Sequence, residues 1–183
     1  HGMIYVKNSG NLRLTANTNS NGDLALINNG DLTLQQVDVG SDNNISLDIT
    51  GVLKDVNTTH GNLIADKLEI RAGEIGNASE IIKINAKELT VESTHGPIYL
   101  HQNGSCDVKI ISIKSVGSVY FETSHGINLG TIEAPGQSVI IKALTGDILD
   151  TRDPGETRAN IKSYSLDISA INLGTATKPL ELD

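Results

Sequence analysis

The amino-acid sequence predicts an all-β chain wound as a right-handed parallel β-helix (solenoid) of about eight coils. Three observations predict it: a short glycine-led unit recurs along the chain, a longer block matches itself at a fixed offset, and the apolar residues are mostly aliphatic. Aromatic residues make up 3% of a chain that is 38% hydrophobic and holds no Trp, so any core is built from Leu, Ile and Val.

The short unit places a small polar residue before Gly and apolar residues two and four positions after it. Its clearest copies are Ser9-Gly10-Asn11-Leu12-Arg13-Leu14, Asn21-Gly22-Asp23-Leu24-Ala25-Leu26 and Asn29-Gly30-Asp31-Leu32-Thr33-Leu34. Related copies run from His95 to Leu100, from Val116 to Phe121 and from Thr145 to Leu149. Each reads as a turn feeding a short strand, because Asn-Gly tolerates positive φ and the alternating Leu or Ile point to one side.

The longer block is more informative. The stretch from Asn62 through Leu68 and Ile75 to Asn85 aligns without a gap on the stretch from Asn160 through Leu166 and Leu173 to Asp183, at an offset of 98 residues. Just upstream, Ile49 to Asp55 matches Leu144 to Asp150 at an offset of 95, so the second copy has gained three residues between the two matches. They fall within Thr151-Arg152-Asp153-Pro154-Gly155-Glu156-Thr157-Arg158, whose Pro-Gly pair and charges predict a surface loop. An insertion that leaves both flanks in register is a solenoid property, since each coil contacts only its neighbours. One coil of a three-sided β-helix takes roughly 20 to 25 residues. Eight coils at about 4.8 Å give a rod about 40 Å long. The apolar residues are spread evenly, which predicts one domain over residues 1–183, part of a longer repetitive protein.

A β-sandwich also has short strands, but it has no reason for a gapless self-match of this length. A left-handed β-helix would need a strict six-residue apolar period, which Leu12, Leu24 and Leu32 do not keep. The one candidate helix, Asn77 to Leu89, alternates Ile82, Ile84 and Ala86 with Lys83, Asn85 and Lys87, and so reads as a strand.

Charge and cysteine content narrow the function classes. The formal net charge is -8 with acids and bases interspersed, and without a basic stripe nucleic acid is not an expected partner. Cys106 is the single cysteine, so an intrachain disulfide and a Cys-rich metal site are both excluded. No apolar run approaches the ~18 residues that a membrane span needs, and no signal peptide opens the sequence.

The runs Gly-Asn-Leu-x-Leu-x-Ala at Gly10 to Ala16, the Gly-Asp-Leu-x-Leu runs, and the Ile-Gly-x-Ala runs from Ile75 to Ile84, with their match from Leu173 to Leu182, resemble the filamentous-haemagglutinin-like exoproteins of Gram-negative bacteria. The resemblance covers essentially the whole chain and rests on repeat style; the secretion domain typical of such proteins is not visible. It implies a β-helical shaft exported to the extracellular space or the outer-membrane surface. It also implies adhesion, biofilm formation or delivery of a distant toxin tip, with surface glycans or proteins of a host or neighbouring cell as partners.

Candidate chemistry is sparse. Asp147, Asp150, Asp153 and Glu156 with Arg152 among them form the most enzyme-like group, because β-helical polysaccharide lyases gather carboxylates that hold Ca²⁺, and a basic residue, beside one sheet. Asp150 corresponds to Asp55 in the repeat, however, and is expected to serve the turn, with the rest a solvated insertion. No cofactor is expected beyond a Ca²⁺ there. His60, His95 and His125 each lie in a Thr/Ser-His-Gly triplet, yet their spacing gives no convergence, and turn positions account for them without a metal. No Gly-x-Ser-x-Gly elbow supports a Ser-His-Asp triad. Tyr99 and Tyr120 alternate with inward aliphatics, so they are candidates for an outward carbohydrate contact. Sequons occur at Asn44, Asn57, Asn77 and Asn103.

Three function classes follow: a non-catalytic structural and adhesive shaft, a carbohydrate-active lyase or hydrolase, and a glycan-binding module using the 151–158 loop. The first is the expectation, because repetition without a unique polar constellation is its signature. Strand edges at the two ends of such a rod favour further coils, a cap, or end-to-end self-association.

Overall fold

The computed structural model describes residues 2–17, 22–56 and 61–183. Fifteen strands follow one another there: β1 (Gly2–Ser9), β2 (Leu12–Asn17), β3 (Gly22–Asn29), β4 (Leu32–Asp38), β5 (Asn44–Ile49), β6 (Val52–Asp55), β7 (Leu63–Ala72), β8 (Glu74–Ile75), β9 (Ile82–Ser93), β10 (Ile98–Gln102), β11 (Val108–Ser115), β12 (Val119–Thr123), β13 (Ile127–Ala143), β14 (Ile148–Asp150) and β15 (Ile161–Ser169). Among the described residues there is no helix. Strands stack in parallel, β1-β3-β5-β7-β9-β11-β13 on one side and β2-β4-β6-β8-β10-β12-β13 on another. Parallel partners that lie about one coil apart in sequence wind the chain around a common axis, and the result is a parallel β-solenoid of about seven turns. That is one turn fewer than the mean coil length suggests. Most steps are short, as from Val6 to Leu26, but the step from Ile132 to Ile161 also carries the 151–159 loop.

Period-two alternation decides what faces inward. Val6, Leu26, Leu47, Ile70, Val91, Ile113, Ile132 and Ile161 stack in one column. Leu12, Leu32, Leu53, Ile75, Ile98, Val119, Val139 and Leu166 stack in another. Nearly all are buried, and together with Phe121 they belong to one continuous core. Fully burying each Leu, Ile or Val contributes about 1.5–3 kcal/mol. Inside, buried Gln102 bonds both backbone groups of Ala86, accepting from its N–H at 3.1 Å and donating to its C=O at 2.8 Å. The segment from Ile82 onward is strand, as its alternation predicts, and Asn77 to Glu80 makes the tight turn before it through two reciprocal backbone hydrogen bonds at 3.1 Å.

The glycine units stack as a corner, but mostly for a different reason than positive φ. In this column only Gly10 (φ 109) and Gly30 (φ 144) adopt it. At Gly51, Gly73 and Gly117 the constraint is close approach: a Cβ would lie 2.7 Å from Gly30 C, 2.8 Å from Gly51 O and 2.6 Å from Gly96 C respectively. The Asn or Asp that follows such a glycine ties one coil to the next. Asn11 Oδ1 accepts the Asp31 N–H at 3.1 Å, Asp31 Oδ1 accepts the Val52 N–H at 3.0 Å, and Asp23 Oδ1 accepts the Asn44 N–H at 2.8 Å.

The 98-residue self-match turns out to relate different faces. Leu68 stacks between Ile45 and Leu89, whereas its match Leu166 stacks on Val139. Ile75 reaches Leu166 in four rungs, through Ile98, Val119 and Val139, and Leu68 lies one face before Ile75, so the offset is four coils and one face rather than a whole number. It carries local structure around the axis by one face.

Candidate functional site

The matching copies share one device, a neck that closes a loop between an Asp at a strand end and an Asn at the next strand start. Asn62 Nδ2 donates to Asp55 Oδ1, and Asn160 Nδ2 donates to Asp150 Oδ1 at 3.0 Å. Both asparagines are 0% exposed. The Asn62 N–H donates to Lys83 O and the Asn160 N–H to Glu181 O, each at 2.7 Å. Their carbonyls accept from Val37 N–H at 2.6 Å and Ile132 N–H at 2.7 Å. The Asp-to-Asn hydrogen bond satisfies the Asn amide N–H and an Asp oxygen where the loop leaves the sheet, but Asn62 Oδ1 is left without a partner, whereas Asn160 Oδ1 accepts from Arg152 Nη2 and from the Glu181 N–H, each at 2.9 Å. Asp55 and Asp150 thus hold equivalent places, as the repeat predicts.

The second neck contains Arg152, and here the expectation of a solvated insertion is corrected. The Arg152 side chain is 7% exposed and that of Asp150 11%. Arg152 Nε and Nη2 donate to the two Asp150 oxygens, each at 3.0 Å. Nη2 also reaches Asn160 Oδ1 at 2.9 Å and Glu181 Oε2 at 3.2 Å, and Nη1 donates to Arg158 O. Hydrogen bonding from Arg152, joined by its backbone N–H and by Asn160, holds the Asp150 carboxyl far below the usual carboxylate range against the opposing effect of burial. An arginine whose donors are engaged inside the protein does not polarise a substrate, and a carboxylate so held does not serve as a general acid or base near neutrality.

Outside the neck, Glu156 pairs with Arg158 at 3.0 Å, and that hydrogen bonding brings its carboxyl down to about 2. Asp153 is exposed, and its carbonyl accepts the Glu156 N–H at 3.1 Å in the loop turn. Asp147 accepts from Asn172 Nδ2 at 2.8 Å on another part of the corner. Beside the loop lies an open groove of about 810 Å³ lined by Glu133, Glu156, Arg158, Lys162, Glu181 and Asp183. Its charges are largely paired with one another, Lys162 with Asp183 at 3.1 Å and Glu181 with Arg152.

Tyr99 and Tyr120 point outward from β10 and β12 in register. Their rings stack at 5.9 Å between centroids with 20° between planes, and Lys142 Nζ lies 5.7 Å from the Tyr120 centroid. Faces that would carry a sugar ring are therefore turned toward each other and toward the ammonium group. The Tyr120 hydroxyl donates to Glu122 Oε2 at 2.6 Å; burial first, then this hydrogen bond, pushes the phenol up to about 12.

His95 is exposed ahead of Gly96 and His125 is half-buried ahead of Gly126, while His60 lies outside the described residues. His95 takes the place before a corner glycine that Asn29 takes before Gly30, which is the turn role expected of it. Among the described residues no group of three His, Cys, Asp or Glu is placed to hold a metal ion. Asn44, Asn77 and Asn103 are exposed, and Asn57 lies outside the described residues.

One feature was missed in the sequence. Asp48, Arg71, Glu92, Lys114, Glu133 and Lys162 occupy successive rungs of one outer column and alternate in sign, and Asp183 extends it through Lys162. Arg71 bridges Asp48 at 3.3 Å and Glu92 at 3.4 Å. A second column sets Glu88 between Lys67 and Lys109, each at 3.3 Å. The signal is charge of opposite sign recurring at one coil's spacing on outward positions. Exposed pairs of this kind contribute only about 0–1 kcal/mol each; the alternation opposes slips that would stack like charges.

Core, necks and outer ladders together define a parallel β-solenoid on whose exterior some charges pair from coil to coil. No known protein family matches the chain, and no curated protein or solved structure shows significant similarity to it.

Proposed function

We propose that this chain is a structural and adhesive shaft segment of a large exported surface protein, of the filamentous-haemagglutinin-like kind that its repeat style resembles. The observation that carries this reading is the use of the most enzyme-like pair, Asp150 and Arg152, to hold the fold together. Asp150, Arg152 and Asn160 close a loop neck, and several outer charges pair coil to coil. A lyase or hydrolase would need a basic group and carboxylates open to a substrate at one place. Such a segment works by presenting a long, regular surface to glycans or proteins of another cell, with its end coils continued by further coils or another copy.

The test is binding of the labelled protein to a panel of polysaccharides and to whole cells, with calcium or chelator, while the same mixtures are followed for chain cleavage. Saturable binding without cleavage is the expected result. Cleavage of any polysaccharide would overturn the shaft reading, and absence of binding to every surface would remove its adhesive part.

A further inference from the structure

We infer that the outer strip of Tyr99, His101, Tyr120 and Lys142 binds a linear anionic glycan, rich in uronate groups, laid along the solenoid axis; this rests on the adhesive reading and names its contact surface. Two parallel rails make up the strip. Tyr99, Tyr120 and Ile140 occupy consecutive rungs of one column, and His101, Glu122 and Lys142 occupy the column two residues further along the same strands. The rails are about 7 Å apart, and their first and third rungs are about 10 Å apart along the axis. A linear polymer running parallel to the axis meets both rails at each coil.

The chemistry of the rails selects the ligand. Because the tyrosine faces are turned along the axis, ring edges are directed outward, and these carry the positive end of the aromatic quadrupole. Ring edges attract oxygen atoms and anions rather than the C–H face of a sugar. Lys142 forms no ion pair among the described residues; its ammonium lies over the Tyr120 ring. Glu122 accepts the Tyr120 hydroxyl at 2.6 Å and lies 3.6 Å from His101 Nδ1, so its carboxylate is tied into the strip. In a chain of net charge -8, most anions are repelled, and this strip differs by offering an ammonium group beside phenol and imidazole groups. Hydroxyl donors of a sugar find the Glu122 carboxylate, and its carboxylates find Lys142. Tyr120 stays a neutral phenol at any pH of interest, since its pKa is pushed up to about 12.

The inference is tested by titrating the protein with oligogalacturonate, with a neutral dextran oligomer, and with single-stranded DNA, following binding by calorimetry. Oligogalacturonate is expected to bind at least about tenfold tighter than the other two, the worth of one charge-assisted hydrogen bond, and to weaken with added salt. Lys142→Gln and Tyr99→Ser should each cost about tenfold, whereas Lys109→Gln, on another face, should leave binding unchanged. Unchanged thermal melting of each variant separates loss of contact from loss of fold. Equal binding of DNA, or of dextran, would overturn the glycan assignment. Binding that survives Lys142→Gln and Tyr99→Ser would place the contact elsewhere and leave the adhesive reading standing. A folded protein that binds cells but no uronate refutes the strip alone, and one that binds nothing refutes both.

Discussion

Removing the Arg152 guanidinium tests the neck directly. In Arg152→Ala the Asp150 carboxylate, 11% exposed in the wild type, loses a two-pronged partner, and Asn160 Oδ1 loses one 2.9 Å donor and keeps the other, the Glu181 N–H. Breaking a buried pair by deleting one member costs about 3–5 kcal/mol, and the retained bonds from Asn160 Nδ2 and the Arg152 N–H to Asp150 place this case at the lower end, about 3 kcal/mol. At this chain length that corresponds to a fall of about 6–12 °C in Tm. Urea unfolding of wild type, Arg152→Ala, Asp150→Asn and the double variant gives the coupling as a double-mutant cycle, and hydrogen exchange should locate the loosened coils from Asn160 onward. A cost within about 0.5 kcal/mol, the range of ordinary surface substitutions, would refute the neck as an anchor. The same carboxylate sets a pH dependence. Because the folded-state pKa of Asp150 is depressed, its stabilisation is fully present above the unfolded value near 3.9 and is lost as pH falls through the folded value. Wild type should therefore lose stability below about pH 4, and Arg152→Ala should lose less over that interval.

Two further perturbations probe the stacking. Gly73→Ala sets a Cβ 2.8 Å from Gly51 O and 2.9 Å from Thr50 O, both backbone atoms, so a cost of about 1–3 kcal/mol is expected in thermal melting; a neutral result would show that the corner tolerates side chains. Glu92→Lys places a cation between Arg71 and Lys114, which should cost about 1 kcal/mol at low salt and fade at high salt. A cost that does not change with salt would show that the ladder is incidental.

The fold was legible because its two periodicities are written in residue types. Alternation of Leu and Ile every second position fixed the strands, and Gly10, Gly30 and their later equivalents marked the corner. The faces were harder to read, since coil length varies, and Leu68 and Leu166 look equivalent in sequence while stacking on different sides. The charge ladder was hidden for the same reason: Glu92, Lys114 and Glu133 become neighbours only when each coil's length is known. Arg152 was misread because an arginine beside Asp, Pro, Gly and Glu has the composition of a solvated loop. What buries it is tertiary: Asp150 lies in register with Leu129, at the end of an otherwise aliphatic column, and a carboxylate there needs a partner that reaches inward.

The two necks also explain how a solenoid carries loops of different sequence without losing register. In both copies the loop leaves after an Asp and returns at an Asn whose amide, N–H and carbonyl bond to the loop's own strand end and to neighbouring coils. Those bonds are made by the strand ends alone, so the next rung begins at the same height however long the loop is, and the three additional residues of the second copy leave Ile161 stacked on Ile132. Loop closure becomes costlier only slowly with length, by about 0.6 kcal/mol for each doubling, which a fixed neck easily outweighs. Because the copies differ by a fraction of a turn, their loops leave from different faces of the rod. The difference between the copies is thereby confined to the loops, where it does not reach the aliphatic columns, and the solenoid keeps its stacking while its surface changes.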